Sequence, residues 1–212
     1  VQVDSKIGLD FAKVMRSFLR ADPDIILIGE MRDRETAQIS IEASLTGHLV
    51  FSTLHTNSAS ETIARLLDMG IDPVNFGEAF LGVLAQRLVR TLCPKCKEAY
   101  QPSEEEIKHL ISVYGEDYAD ELSISGSRPK LHRPKGCQAC QGTGYKGRTG
   151  IHELIVTSPQ IRHLIFQKQS AEVLRNQGME EGMRTLFQDG ISKILQGSID
   201  YAQLSKVASV EN

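Results

Sequence analysis

Two groups of side chains in this sequence could do chemistry on residue type and spacing alone. The first is Cys93-Pro-Lys-Cys96 with Cys137-Gln-Ala-Cys140, which together hold all four cysteines. A C-x-x-C turn presents two thiolates to one ion, and two such turns complete a tetrahedron around Zn²⁺ with Zn–S of about 2.3 Å. Four protein ligands leave no open position, so the ion would be structural rather than catalytic. The spacer of about 40 residues is longer than in a compact zinc ribbon, so the intervening chain must bring the pairs together. Free surface thiols or a redox pair are the alternatives; two C-x-x-C pairs without a disulfide framework favour metal.

The second group is Glu30 and His55, each just beyond a short apolar run. Asp22-Pro-Asp-Ile-Ile-Leu-Ile-Gly-Glu-Met-Arg-Asp33 opens on acidic residues around Pro23, continues through Ile25 to Ile28, and breaks at Gly29. An aliphatic run bounded by Pro and Gly reads as a strand buried on both faces. Such strands belong to parallel sheets covered by helices, with functional residues at their carboxyl ends. Glu30 stands at that end, where a carboxylate can orient or deprotonate an attacking water. His48 to Leu54 reads as a second such strand, ending at His55-Thr-Asn57. In a parallel sheet both ends share one edge, so Thr53, His55 and Asn57 could meet a terminal phosphate beside Glu30. The plainer alternatives are a charged turn after a core strand and a histidine that only hydrogen-bonds.

The elements that must position these residues alternate. Val14, Met15, Phe18 and Leu19 recur, with Ile7 and Phe11, at helical spacing, which predicts a helix over about 8–20. Asp33 caps a second helix with Glu35 in its first turn and Gly47 just past its end. Ser58 or Ser60 caps a third through Ile63, Leu66 and Leu67. Helix, strand, helix, strand, helix implies right-handed crossovers and a parallel α/β sheet. Phe76, Phe80, Val83, Leu84 and Leu88 extend the pattern as a helix from Pro73 to Leu92. Composition then shifts: both cysteine pairs, an acidic segment (103–121) with a helix around Glu105 to Tyr114, and a Ser/Gly/Pro-rich loop (123–134) lie between Cys93 and Gly150. Ile151 to Val156 is strand-like, and Pro159 to Val210 reads as helical with breaks at Gly178, Gly182, Gly190 and Gly197. Three segments follow: 1–92 as the α/β core, 93–150 as a tetracysteine subdomain and 151–212 as a helical region.

Composition excludes other classes. A net charge of -3 leaves no electrostatic footprint for nucleic acid. No apolar run approaches the roughly 18 residues that span a bilayer. The sequence nowhere contains G-x-x-x-x-G-K-[ST], the loop that cradles β- and γ-phosphates. Gly142, Gly144, Gly147 and Gly150 suit tight turns instead, because no Lys-Ser/Thr follows them. The opening at Val1, in strand-like Val1-Gln-Val3, is read as the start of a fragment of a longer protein. A zinc-dependent protein-binding module is the alternative of another class, because Cys137-Gln-Ala-Cys-Gln-Gly-Thr-Gly144 matches one C-x-x-C-x-G-x-G repeat of chaperone cysteine-rich domains. Only one such repeat is present, which counts against it.

These residues also carry a family resemblance. Arg20 to Asp33 resembles the Walker B segment of the secretion ATPases that drive type II secretion and type IV pilus assembly. Thr46-Gly-His-Leu-Val-Phe-Ser-Thr-Leu-His-Thr-Asn57 resembles their His box, and the two C-x-x-C pairs with Thr143 to Glu153 resemble their tetracysteine zinc subdomain. Asp189 to Gly197 is similar to their C-terminal helices, so the resemblance spans essentially the whole chain. It implies part of a RecA-like parallel sheet with an inserted zinc subdomain and a helical C-terminal region. It makes Glu30 the catalytic Walker B glutamate, His55 the His-box histidine and Asp24 the Walker B aspartate by position, with ATP and Mg²⁺ as ligands. Arg16, Arg20 and Arg32 are candidates for phosphate or subunit contacts, or simply a charged surface. The family's Walker A loop, Asp box and arginine-supplying domain would precede Val1, so the chain alone is expected to be inactive. A homo-hexamer is implied, cytoplasmic and peripherally attached to the inner membrane through platform and assembly proteins. The tetracysteine insert separates the chain from pilus retraction motors, and Arg148 to Glu153 leans toward type II secretion over pilus extension.

Overall fold

The computed structural model describes residues 6, 10–122, 124 and 129–209. The strand expected at Val1-Gln-Val3, Ile7 of the first helix and part of the 123–134 loop lie outside the described residues. The chain divides into two compact units. One takes the chain up to Val83 together with Leu154–Met183; the other takes Leu84–Glu153 and the chain from Arg184 onward.

In the first unit, strand β1 (Ile25–Ile28) pairs in parallel with β2 (Leu49–Ser52), Ile25 opposite Leu49 and Ile28 opposite Ser52. Helix α1 (Phe11–Phe18) precedes β1, and α2 (Arg34–Leu45) makes the crossover to β2. Ala12 and Met15 of α1 pack with Ile26 and Ile28 of β1 and Ile39 and Ala43 of α2. Asp33 caps α2 as expected: Oδ1 accepts from Thr36 N at 2.8 Å and Oδ2 from Thr36 Oγ1 at 2.9 Å. Ser58 caps α3 (Ala59–Asp68), and Asp72 caps α4 (Pro73–Ala79), whose first residue is the proline. Helices α6 (Pro159–Phe166) and α7 (Ala171–Glu180) also belong to this unit.

Two expectations are corrected here. β1 is buried on one face only: Ile26 and Ile28 are buried, whereas Ile25 and Leu27 are 62% and 77% exposed. Alternate strand residues point to opposite faces, and among the described residues the helices pack under only one of them. The helix expected from Pro73 to Leu92 ends at Ala79, and strand β3 runs from Gly82 to Leu92. Phe76, Phe80, Leu84 and Leu88 recur every fourth residue, a spacing that fits a helical stripe and also one face of a strand. Extended backbone at Phe80 (φ -79°, ψ 121°) and the β-branched Val83, Val89 and Thr91 accompany the strand.

Strand β3, most of which belongs to the second unit, pairs with β6 (Tyr145–Val156), which begins earlier than the expected Ile151. Strand β4 (Glu98–Tyr100) runs antiparallel to β5 (Leu131–Arg133), with Glu98 opposite Arg133 and Tyr100 opposite Leu131. Helix α5 (Glu104–Tyr114) opens with a reciprocal capping box, Ser103 and Glu106 each bonding the other's backbone N–H. Helices α8 (Leu186–Leu195) and α9 (Tyr201–Leu204) close the unit. Val89, Leu110, Tyr114, Ile151, Phe187, Ile191 and Leu204 share its core. Of the four expected breaks, Gly182 and Gly197 fall between helices, while Gly178 and Gly190 lie inside α7 and α8. A Cβ on Gly190 would come within 2.2 Å of Leu204, so that glycine admits α9 rather than ending a helix.

Candidate functional site

The carboxyl edge of β1 and β2 is held together by backbone and side-chain bonds just past both strands. Met31 N donates to Thr53 O at 3.0 Å, and Thr53 Oγ1 donates to Gly29 O at 2.6 Å. With both loops fixed, Glu30 and His55 meet: His55 Nε2 lies 3.3 Å from Glu30 Oε2. Arg32 Nη2 lies 2.6 Å from Glu30 Oε1. Glu30 is largely enclosed, its side chain 22% exposed, whereas His55 is 86% exposed. Oε2 is buried where it faces His55. A buried carboxylate oxygen is costly unless a nearby donor or cation offsets its charge.

The hydrogen bond from Arg32 holds the Glu30 carboxyl below the usual carboxylate range, against the opposing effect of partial burial, with smaller help from His55. A carboxylate so held stays ionised at neutral pH and suits orienting a water more than removing its proton early. Phosphoryl transfer through a loose transition state needs little more than that from such a group. Beside His55 an open groove is lined by Asn57, Glu61, Arg65 and Asp68.

Asp24 lies elsewhere. It precedes β1, is exposed, and accepts Leu49 N at 3.0 Å through its backbone carbonyl. The four residues of β1, roughly 13 Å of rise, and Gly29 separate it from Glu30. Thus Glu30, His55 and Thr53 come together and Asp24 does not join them. Arg16 pairs with Glu35 of α2 at 2.6 Å, and Arg20 is exposed. The pairing of Arg32 with Glu30 was not foreseen, although an i, i+2 spacing in extended chain places both side chains on one side.

The four cysteines are brought into one cluster. All four Sγ atoms lie within 4.8 Å of one another, with Cys93–Cys137 at 4.0 Å and Cys96–Cys140 and Cys137–Cys140 at 3.8 Å. Four sulfurs about 2.3 Å from a central ion stand about 3.8 Å apart, so the donor set fits a tetrahedral thiophilic cation. The β4–β5 pairing closes the long spacer, reinforced by ion pairs from Arg133 and Lys135 to Glu98. Cys93 N donates to Gly144 O at 2.8 Å, tying the two knuckles together. Gly144 (φ +78°) needs to be glycine, because a Cβ there would sit 2.4 Å from Pro134 Cβ.

Burial opposes the charged form at both Cys96 and Cys140, with different outcomes. It pushes the Cys96 thiol up to about 12, with neighbouring cysteines adding to the rise. At Cys140 the backbone N–H groups of Cys137 and Gly144, each 3.2 Å from Sγ, outweigh burial and bring it down to about 6. The Cys140 thiolate is thus favoured, and ionisation of Cys96 is opposed until a cation offsets the charge. These N–H···S donors follow from the C-x-G-x-G spacing after Cys137, a local signal. Other supports have none: Lys97 Nζ donates to Gly197 O at 2.7 Å, and Tyr145 Oη to Asp200 Oδ2 at 2.6 Å.

A family model described as "Type II/IV secretion system protein" matches residues 1–206. The chain is 48% identical over 196 residues to the type IV pilus assembly ATPase PilB of Thermus thermophilus, covering 92% of this chain and 21% of that protein. It is 45% identical over 210 residues to the type II secretion system protein E of Pseudomonas aeruginosa, covering 99% and 39%. Similarity to the type II secretion system ATPase E of Vibrio cholerae is 43% over 210 residues, covering 97% and 39%. The chain thus spans well under half the length of these relatives. Among solved structures, the pilus retraction motor PilT with bound ADP matches with a TM-score of 0.61 at 26% identity, over 94% of this chain and 43% of that one. The Legionella pneumophila ATPase DotB matches with a TM-score of 0.61 over 93% and 42%, and at 21% identity shows likeness of fold alone.

Proposed function

The chain belongs to the Type II/IV secretion system protein family, and we propose that it is the C-terminal part of a motor ATPase that powers type II protein secretion. In this reading β1 and β2 are the Walker B half of a RecA-like sheet. Glu30 orients the attacking water, His55 stands beside it toward the γ-phosphate, and Thr53 fixes the two loops together. The observation that carries the reading is the enclosed Glu30 carboxylate with one acceptor oxygen facing His55 at the shared edge of two parallel strands. The phosphate-cradling loop is absent from this sequence and is proposed to come from the remainder of a longer protein, because the relatives are more than twice this length. Mg²⁺ enters with ATP, and Asp24 reaches it only if the assembled protein brings the nucleotide toward the start of β1. The four cysteines hold one structural Zn²⁺; as thiolates they match its softness and tetrahedral preference.

The assembled parent is proposed to be a homo-hexameric ring that transmits its opening and closing to inner-membrane platform and assembly proteins. No helix among the described residues is long and apolar enough to cross a membrane. That accords with peripheral attachment at the cytoplasmic face through partners. Pilus extension is the second reading, favoured by the 48% identity to the Thermus thermophilus pilus ATPase. Deleting the gene separates the two: loss of exoprotein release with pili intact supports secretion, and the reverse supports extension.

The test of the catalytic reading is Glu30→Gln in the full-length polypeptide. The amide keeps size and hydrogen bonding and removes the charge that orders the water. Nucleotide binding should be nearly unchanged while turnover falls by about 10²–10⁴. Turnover within a fewfold of the unmodified enzyme would reduce Glu30 to a structural strand terminus.

A further inference from the structure

We propose that Arg32 is a positioning residue for Glu30: it takes Oε1 and so fixes the carboxylate in one orientation beside His55. This rests on the reading in which Glu30 serves ATP hydrolysis. The arrangement begins with the backbone. Met31 N is bonded to Thr53 O, and the Met31 side chain packs against the core of α1, β1 and α2. In an extended stretch the residues on either side of Met31 then point the other way, which places Glu30 and Arg32 together. Their 2.6 Å contact is that of a charge-assisted hydrogen bond.

The two carboxylate oxygens are therefore unequal. Oε1 is committed to the guanidinium, while Oε2 is enclosed and lies 3.3 Å from His55 Nε2. A freely rotating carboxylate would offer either oxygen to water in many orientations, and holding one oxygen removes that freedom. The charged groups facing Glu30 are Arg32 on its own loop and His55 from the loop after β2. From α1 the nearby group is the Phe11 ring, against Gly29, and Asp33 at the start of α2 spends both oxygens on Thr36. Arg32 is 74% exposed, so it can be removed with little loss of packing.

The alternative for an exposed arginine at such an edge is a direct phosphate contact, and the two roles separate kinetically. In the full-length polypeptide, Arg32→Ala should lower kcat by about tenfold to a hundredfold and leave KM for Mg-ATP within about twofold. Arg32 keeps the Glu30 carboxyl low, so its loss raises that carboxyl and moves the acidic limb of the pH–rate profile to higher pH. Arg32→Lys should return the limb toward its original position and restore only part of kcat, because lysine keeps the charge without the planar fork. Carboxyl NMR titration of the present chain reads the same shift without turnover: the Glu30 midpoint rises in Arg32→Ala and falls back in Arg32→Lys. A tenfold or greater rise in KM with an unmoved acidic limb would make Arg32 a phosphate ligand and overturn the proposal, as would an unmoved Glu30 midpoint. If Glu30→Gln retains turnover, the catalytic reading itself fails. If Glu30→Gln is inactive while Arg32→Ala moves neither limb nor midpoint, only the positioning role fails.

Discussion

The tetracysteine cluster and the Glu30–His55 edge are both built from short loops next to strands, yet they differ in how much of a site the chain itself supplies. The cluster provides four sulfur donors within 4.8 Å, backbone N–H groups aimed at Cys140 Sγ, and an antiparallel strand pair that closes the spacer. A tetrahedral cation needs nothing more in its inner shell. At the other edge one carboxylate is fixed on one side by Arg32 and faces an 86% exposed histidine on the other, and the sequence carries no G-x-x-x-x-G-K-[ST] loop. A structural ion asks for donors that a short segment can hold, whereas polyphosphate chemistry asks for groups converging from several elements. A site of the first kind can be completed locally; a site of the second kind needs groups from several elements.

Metal removal should break the contrast most visibly. Structural zinc in small peptide sites contributes about 10–16 kcal/mol of apparent binding energy, which is also folding energy. Chelation, or Cys137→Ser, should unfold the region from about Leu92 to Tyr145 and spare the β1–β2 unit. Hydrogen exchange resolved by segment checks this, together with metal analysis of freshly purified protein. Substoichiometric zinc in unoxidised protein would remove the cluster from the ranks of complete sites.

The opposite edge can be tested by titrating this chain alone with Mg-ATP. Backbone N–H groups, a lysine and a helix N-terminus supply most phosphate affinity in such sites. None is present as a phosphate loop here, and Glu30 and Asp24 repel a polyphosphate. Calorimetry should show no tight binding and no turnover should be measurable; submicromolar affinity would mean that the edge is already a complete site.

A finer test concerns the support of the cluster. Gly144→Ala combines a left-handed backbone with a 2.4 Å approach to Pro134 Cβ, and it moves the N–H that bonds Cys140 Sγ. Strain of this kind costs on the order of 1–3 kcal/mol. Zinc should remain bound at one per chain, with affinity in a chelator competition reduced by roughly tenfold or more, 1.4 kcal/mol being a factor of ten. An unchanged affinity would show that the thiolates alone set the site.

What the sequence determined by itself was local. Asp33, Ser58, Asp72 and Ser103 cap helices because a short oxygen-bearing side chain before a helix satisfies its own first-turn N–H groups. The parallel pairing of β1 and β2 followed from the intervening helix, and the two cysteine pairs announced their cluster by chemistry. The three compositional segments and the two packing units are different divisions. The sequence pattern breaks at 92 and 150, while contacts join Leu84–Glu153 with the chain from Arg184. Tertiary structure alone decided that Leu84 and Leu88 belong to a strand, because a four-residue repeat satisfies both periods and pairing with β6 selects one. It also decided that Asp24 stands a strand's length from Glu30, and that Arg32 holds one oxygen of Glu30 while His55 faces the other. A one-dimensional pattern records which face or end a residue occupies; the distance between two loops is set by the ladder that joins their strands, Met31 N on Thr53 O among its bonds.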